Sequence, residues 1–137
     1  MTDQSCAVKS AVLELIRRQV IHNPGTAVDP RFAKTGADVF TMAEMEFASF
    51  KSPWYRDWLA TTEYGRDQIC FMVHSTPTAR IEDLVLATRE RAAYIFVTDL
   101  SEGRYEDFGD HWKTFVAAMA KVSSLEARNH FGESAIQ

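Results

Sequence analysis

Residues 68–99 read QICFMVHSTPTARIEDLVLATRERAAYIFVTD, and this stretch holds one complete strand–helix–strand unit. Gln68 to Val73 is a short apolar run with β-branched and aromatic residues, the composition of a strand. It stops at His74-Ser75-Thr76, and Pro77 or Thr78 then opens a helix with Ile81, Leu84, Val85 and Ala92 on one face. Ala93 to Val97 is a second strand, ending at Thr98-Asp99. A strand, a helix and a strand in immediate succession imply a right-handed crossover and a parallel pair. Both strands are apolar at odd and even positions alike, so both are expected to be buried on two faces.

The same unit recurs on either side. Upstream, Cys6 to Arg18 carries Val8, Val12, Leu15 and Ile16 at helical spacing. It runs into the short strand Val20-Ile21-His22, which Asn23-Pro24-Gly25 ends, because proline lacks a donor and glycine admits unusual backbone angles. Asp29-Pro30 predicts a brief helix from Pro30 to Lys34. A further strand spans Asp38 to Ala43, followed by Glu44, Glu46 and Ser49, and Pro53 to Leu59 predicts a helix rich in aromatics. Downstream, a glycine-containing acidic loop through Asp107 leads to a helix from about Asp110 to Arg128, with Trp112, Phe115, Val116 and Met119 facing inward. The expected fold is α/β: four consecutive βα units with a parallel sheet, half of a TIM-like (β/α)8 barrel, in a single domain over residues 1–137. A flavodoxin-like doubly wound sheet is the alternative with the same alternation.

Composition narrows the function classes. The chain has 137 residues, 46% of them hydrophobic, with nine Phe, four Tyr and three Trp, enough for one packed core but short of the roughly 250 residues of a full eight-unit barrel. A net charge of -4 lacks the basic footprint of nucleic-acid or anionic-membrane binding, so neither partner is expected. No run is long enough to span a bilayer and no secretory leader is read at the start, so the chain as given is expected to be cytoplasmic, or secreted if it is a truncated form of a longer exported protein. Cys6 and Cys70 make no metal spacing and read as reduced thiols.

In parallel α/β folds ligands sit at the carboxyl ends of the strands, where loops and helix N-termini converge. There the four strands deliver Asn23 with Thr26, Glu44 with Glu46, His74 with Ser75, and Thr98 with Asp99. Such residues also cap helices and fix turns, so each alone is weak and the rim they form together carries the reading. Glu44 stands out, since a carboxylate ending an apolar strand is partly desolvated, and desolvation moves a carboxyl toward acid/base work. Trp54, Tyr55, Trp58 and Tyr105 are candidates for stacking on sugars, against ordinary packing as the plainer reading. Asn23-Pro24-Gly25-Thr26 has too little glycine for a phosphate loop or dinucleotide fingerprint, there is no Gly-x-Ser-x-Gly elbow, and His22 and His74 have no third ligand at a metal-site spacing. No cofactor and no metal are expected.

From about Val20 to Val122 the chain resembles the carboxyl-terminal half of spherulation-specific family 4. The carrying residues are Val20-Ile21-His22-Asn23-Pro24-Gly25-Thr26, Ala37-Asp38-Val39-Phe40-Thr41-Met42-Ala43-Glu44, Tyr94-Ile95-Phe96-Val97-Thr98-Asp99 and Trp112, in that order and spacing. The resemblance implies a (β/α)8 barrel related to polysaccharide-cleaving glycoside hydrolases, some acting on galactosamine-containing glycans. It makes the Asn-Pro-Gly strand the fifth of the barrel and matches Glu44 to the glutamate closing the sixth. The family's Asp-Glu pair at the end of its fourth strand has no counterpart here, and Ala43 stands where an aromatic is usual.

These readings make Glu44 the catalytic candidate and Asn23, Glu46, His74, Asp99 and Tyr105 the substrate-binding candidates. Glycoside hydrolysis uses two carboxyl groups roughly 5–9 Å apart, and only one is matched by the resemblance. The isolated monomer is therefore expected to be inactive. Binding of an amino-sugar polysaccharide, or its hydrolysis once a partner chain completes the site, is the leading function. A non-catalytic binding or structural half-barrel, a truncated gene product, and a doubly wound domain binding a small anion are the alternatives. Four strands alone leave one sheet face and two edges uncovered, so a homo-oligomer, a dimer, is expected.

Overall fold

The protein is described by a computed structural model over residues 19–34 and 36–132. The expected helix from Cys6 to Arg18 lies outside the described residues. Four strands, β1 (Ile21–His22), β2 (Val39–Glu46), β3 (Ile69–His74) and β4 (Tyr94–Val97), form one sheet in the order β1-β2-β3-β4. Every neighbouring pair is parallel. The helices are α1 (Phe47–Phe50) and α2 (Pro53–Thr61) after β2, α3 (Ile81–Thr88) after β3 and α4 (Trp112–Gly132) after β4. Strictly sequential order is the topology of four consecutive units of a (β/α)8 barrel. A doubly wound sheet needs a point where the order reverses, and this sheet has none, so the flavodoxin-like alternative and its anion crevice are set aside.

Local chemistry explains the element ends. Pro53 begins α2 where a missing N–H costs nothing, and the brief 3-10 helix Pro30–Lys34 starts where Asp29 accepts the Arg31 backbone N–H at 2.9 Å. The same carboxylate takes the Arg31 side chain at 2.9 Å, which holds Asp29 below its ordinary range.

The core lies between the sheet and its helices. Phe40, Ile69, Phe71 and Val73 from the strands meet Phe50 and Tyr55 after β2, then Ile81, Leu84 and Val85 of α3. Phe50 and Phe71 pack edge-to-face with centroids 5.1 Å apart. On α4 the inward stripe is Phe115, Ala118 and Val122, with Met119 and Trp112 packed beside it. Val116, expected inward, is 47% exposed, because it lies off the i, i+3, i+7 line that reaches the sheet.

Strand β2 runs past its expected end at Ala43 to Glu46, and it contains a bulge. Thr41 pairs with Cys70 and Ala43 with Phe71, so Met42 is an extra residue against β3. In a regular strand Glu44 would share a face with Phe40 and point at the helices. The bulge turns Glu44 onto the opposite face, in the row of Thr41, Cys70, Met72 and His74. The extra carbonyl is not orphaned: the Tyr55 hydroxyl, fully buried, donates to Met42 O at 2.7 Å. Burial pushes the Tyr55 phenol far above its ordinary range.

Burial on two faces falls on β2 and not on β3 and β4 as expected. The first five residues of β2 are buried, whereas β3 alternates between buried and half-buried and β4 begins with Tyr94 at 42% exposure. On the side of β3 away from the helices Cys70 and Met72 stay half-buried, while on the same side of β4 Phe96 is met only at the sheet's edge by Tyr105, Trp112 and Phe115. Cys70 on that side has its thiol pushed up by burial and is no ready nucleophile.

Candidate functional site

The parallel sheet brings Asn23, Glu44, His74 and Asp99 to the carboxyl ends of successive strands. The Asn-Pro-Gly turn is laid along β2 by two backbone bonds, Gly25 N–H to Thr41 O at 3.0 Å and Glu44 N–H to Gly25 O at 2.9 Å. Gly25 sits at φ +70°, a conformation that side chains strain, which is why the turn carries glycine. The turn sets Asn23 Nδ2 2.6 Å from Glu44 Oε2, a short charge-assisted bond that fixes the carboxylate.

Glu44 is half-buried and lines a cavity of about 390 Å³ with Gly103, Arg104, Tyr105 and Glu106. Tyr105 lines this cavity beside Glu44 and Arg104, and both charges act on its hydroxyl. Burial, and then the Glu44 charge, raise the Tyr105 phenol, so it stays a neutral donor toward the carboxylate. Arg104 donates from Nη1 to Ser101 O at 2.9 Å and lies 5.8 Å from the Tyr105 ring centroid. Its charge reaches His74, whose proton affinity is lowered first by burial and next by Arg104, while Glu46 and Glu44 pull the other way. His74 Nδ1 lies 3.0 Å from Ser75 Oγ, and Ser75 is held at φ 52°, a left-handed conformation for a residue with a side chain.

The remaining candidates are more loosely joined. Glu46 is exposed at the end of β2, opposite His74 in the register, and accepts the Ser49 hydroxyl at 3.4 Å. Asp99 points along the loop after β4, where its carboxylate lies 3.9 Å from His111 Nε2, so its described partner is that imidazole and not Glu44. Of the aromatics, Tyr55 and Trp58 are packing residues and Trp54 is exposed on α2. Arg104 was missed by sequence reasoning, although a lone cation within Asp99–Asp107 was a readable signal. The left-handed Ser75 left no signal in composition or period. A larger cavity of about 600 Å³ runs beside β1, lined by Ile21, His22, Asn23, Phe32 and Phe40 among others, and Asn23 stands between the two. Among the described residues no group of three or more His, Cys, Asp or Glu side chains is arranged to hold a metal ion, and no helix is long and apolar enough to cross a membrane.

The chemistry available is that of a polar rim: a braced carboxylate, a phenol, a guanidinium and an imidazole around an open cavity. These groups suit hydroxyl-rich ligands, which donate and accept at once. Comparison with known proteins agrees in lineage. The crystal structure of Aspergillus clavatus Sph3 in complex with GalNAc matches with a TM-score of 0.67 at 36% identity, over 74% of this chain and 42% of that one. This chain thus spans less than half the length of that relative. No curated protein matches. The model of spherulation-specific family 4, Spherulin4, matches residues 1–119. With a family match over most of its length and a relative at this identity, the chain belongs to spherulation-specific family 4.

Proposed function

We propose that this chain binds an amino-sugar-containing polysaccharide at the carboxyl-end rim, with Glu44 as its central group, and that hydrolysis follows only where a second carboxylate is supplied. The observation that carries the reading is the Glu44 carboxylate held at 2.6 Å by Asn23, with Tyr105 beside it at the wall of a cavity. A family relative crystallised with GalNAc supports the sugar class. An N-acetylhexosamine offers hydroxyl donors to Glu44 and acceptors to Tyr105, Arg104 and His74. Asn23 has a second task, to hold the carboxylate in one orientation before the sugar arrives.

Cleavage of a glycosidic bond needs a proton donor and a second carboxylate on the other side of the anomeric carbon. Glu46 lies on the same face two residues along β2, about 7 Å away by strand spacing, but it is exposed and turned to Ser49. A second copy is the other source. Edge strands β1 and β4, and the exposed Ile21 and Tyr94 beside them, are the surfaces that a partner would cover. Two copies related by a twofold axis along the sheet's curl would pair β4 of each with β1 of the other, closing four-plus-four units and bringing two Glu44 carboxylates around one rim.

Titration calorimetry with GalNAc tests the binding. Glu44→Gln is expected to weaken it about tenfold, the loss of one charge-assisted hydrogen bond, while stability changes by under about 1 kcal/mol. Loss of folding without any change in sugar affinity would make Glu44 a structural residue. Light scattering at micromolar concentration tests the dimer, and a well-folded monomer would exclude it.

A further inference from the structure

The loop between β4 and α4 carries a feature that the Glu44 rim does not use. Phe108 is 66% exposed, the highest value among the large hydrophobic side chains described. It stands in an acidic stretch with Asp107 and Asp110, where composition gives no reason for a phenyl group. The ring is nevertheless held. Its backbone N–H donates to Asp107 Oδ1 at 2.7 Å, and its centroid lies 4.9 Å from that of Trp112 at an interplanar angle of 45°. Gly109, at φ +65°, turns the chain so closely over Leu100 that a Cβ there would meet Leu100 Cγ at 3.0 Å. A solvent-facing aromatic corner fixed by this much local structure is a built surface.

That corner is continuous with the rim. The Trp112 ring centroid lies 6.2 Å from that of Phe96, the Phe96 centroid lies 6.1 Å from that of Tyr105, and Tyr105 lines one cavity with Glu44. Polar groups flank it: His111 precedes Trp112 and is 3.9 Å from Asp99, with both side chains partly exposed. Aromatic faces beside a carboxylate and an imidazole match one chemical object, a pyranose. Its axial C–H bonds present a weakly positive apolar face to a ring, while its equatorial hydroxyls reach outward to polar partners. A protein interface core fits less well, because such cores are depleted in the charges that surround Phe108.

We propose that Phe108 and Trp112, with Asp99 and His111 at their edge, form a second sugar subsite that takes a neighbouring residue of the glycan whose first residue sits at Glu44. The proposal rests on the carbohydrate reading and extends it from a single sugar to a chain. It gives Asp99, whose described partner is His111, a place in the site.

Calorimetry on the full chain with two probes, GalNAc and a short N-acetylgalactosamine oligosaccharide, tests it. Phe108→Ala is expected to weaken the oligosaccharide about tenfold, the worth of one stacked ring, and to leave GalNAc affinity unchanged. Phe108→Tyr keeps the ring face and should restore the oligosaccharide. An exposed side chain on a loop is not needed for folding, and unchanged circular dichroism spectra and melting temperatures verify this. The proposal is overturned if Phe108→Ala binds the oligosaccharide as the unaltered chain does, or if it weakens both probes equally. If the unaltered chain binds neither probe, the carbohydrate reading itself has failed and the subsite falls with it.

Discussion

The two sides of this one sheet obey different rules. Toward the helices, Phe40, Ile69, Phe71 and Val73 are all within 2% of full burial and interlock with Phe50, Tyr55, Ile81 and Val85. On the opposite side, Cys70, Met72 and Phe96 are half-buried and Tyr94 is open. The first side is finished within the chain. The second is left partly open among the described residues, and the polar rim sits along its upper edge. One alternating pattern therefore makes two surfaces, a closed core on one face and a polar-edged open surface on the other.

The contrast can be broken most directly at two adjacent residues of β3. Phe71→Ala should cost about 4 kcal/mol, as for an aromatic removed from a packed core, whereas Met72→Ala should cost about 1 kcal/mol, because its side faces no finished layer. Urea unfolding of the two variants measures this, and equal losses would mean that the inner wall is as well packed as the outer.

Tyr55→Phe tests the link between the faces. Its hydroxyl is the partner of the Met42 carbonyl at the bulge, and leaving that buried acceptor unmade should cost about 1–3 kcal/mol. Because the bulge aims Glu44, the same variant should weaken GalNAc binding although Tyr55 is a core residue. A variant that loses stability with sugar affinity intact would uncouple the bulge from the site.

A smaller effect of opposite sign is expected at Ser75, whose φ of 52° is strained for any residue with a Cβ. Ser75→Gly should raise stability by up to about 1 kcal/mol, read as an increase in melting temperature. Any loss would mean that the contact between Ser75 Oγ and His74 Nδ1 outweighs the strain.

The smallest effect is a pH dependence. His74 binds its proton less readily in the folded chain than its ordinary value of 6.5. Around and below that value the unfolded chain therefore holds more protons at this site than the folded one does. The stability it contributes is complete above pH 6.5 and is lost as pH falls below that value through the folded-state pKa. His74→Gln should flatten this part of the stability curve between pH 7.5 and 5.5, roughly the range histidine titration covers. An unchanged slope would show that His74 titrates alike in both states.

Much of this architecture was legible from local chemistry. Strands alternating with helices fixed a parallel sheet, Pro53 and Pro30 marked element starts, and the strand ends placed Asn23, Glu44, His74 and Asp99 at one edge. Sequential order could not be read in that way, since barrel and doubly wound sheets share the same alternation and differ only in which strands meet. Nor could the bulge. Its residues, Thr41-Met42-Ala43, look like any buried strand, and only the register against β3 reveals the extra one. Val116 and Arg104 went astray for related reasons: which side of α4 meets the sheet, and which loop folds over Glu44, depend on neighbours remote in sequence. The chain alone determined which residues are apolar, which break, and which end each strand, because these follow from a few adjacent side chains. The aim of the Glu44 carboxylate was decided only in the tertiary structure, where Met42 leaves the ladder and Tyr55 takes up its carbonyl.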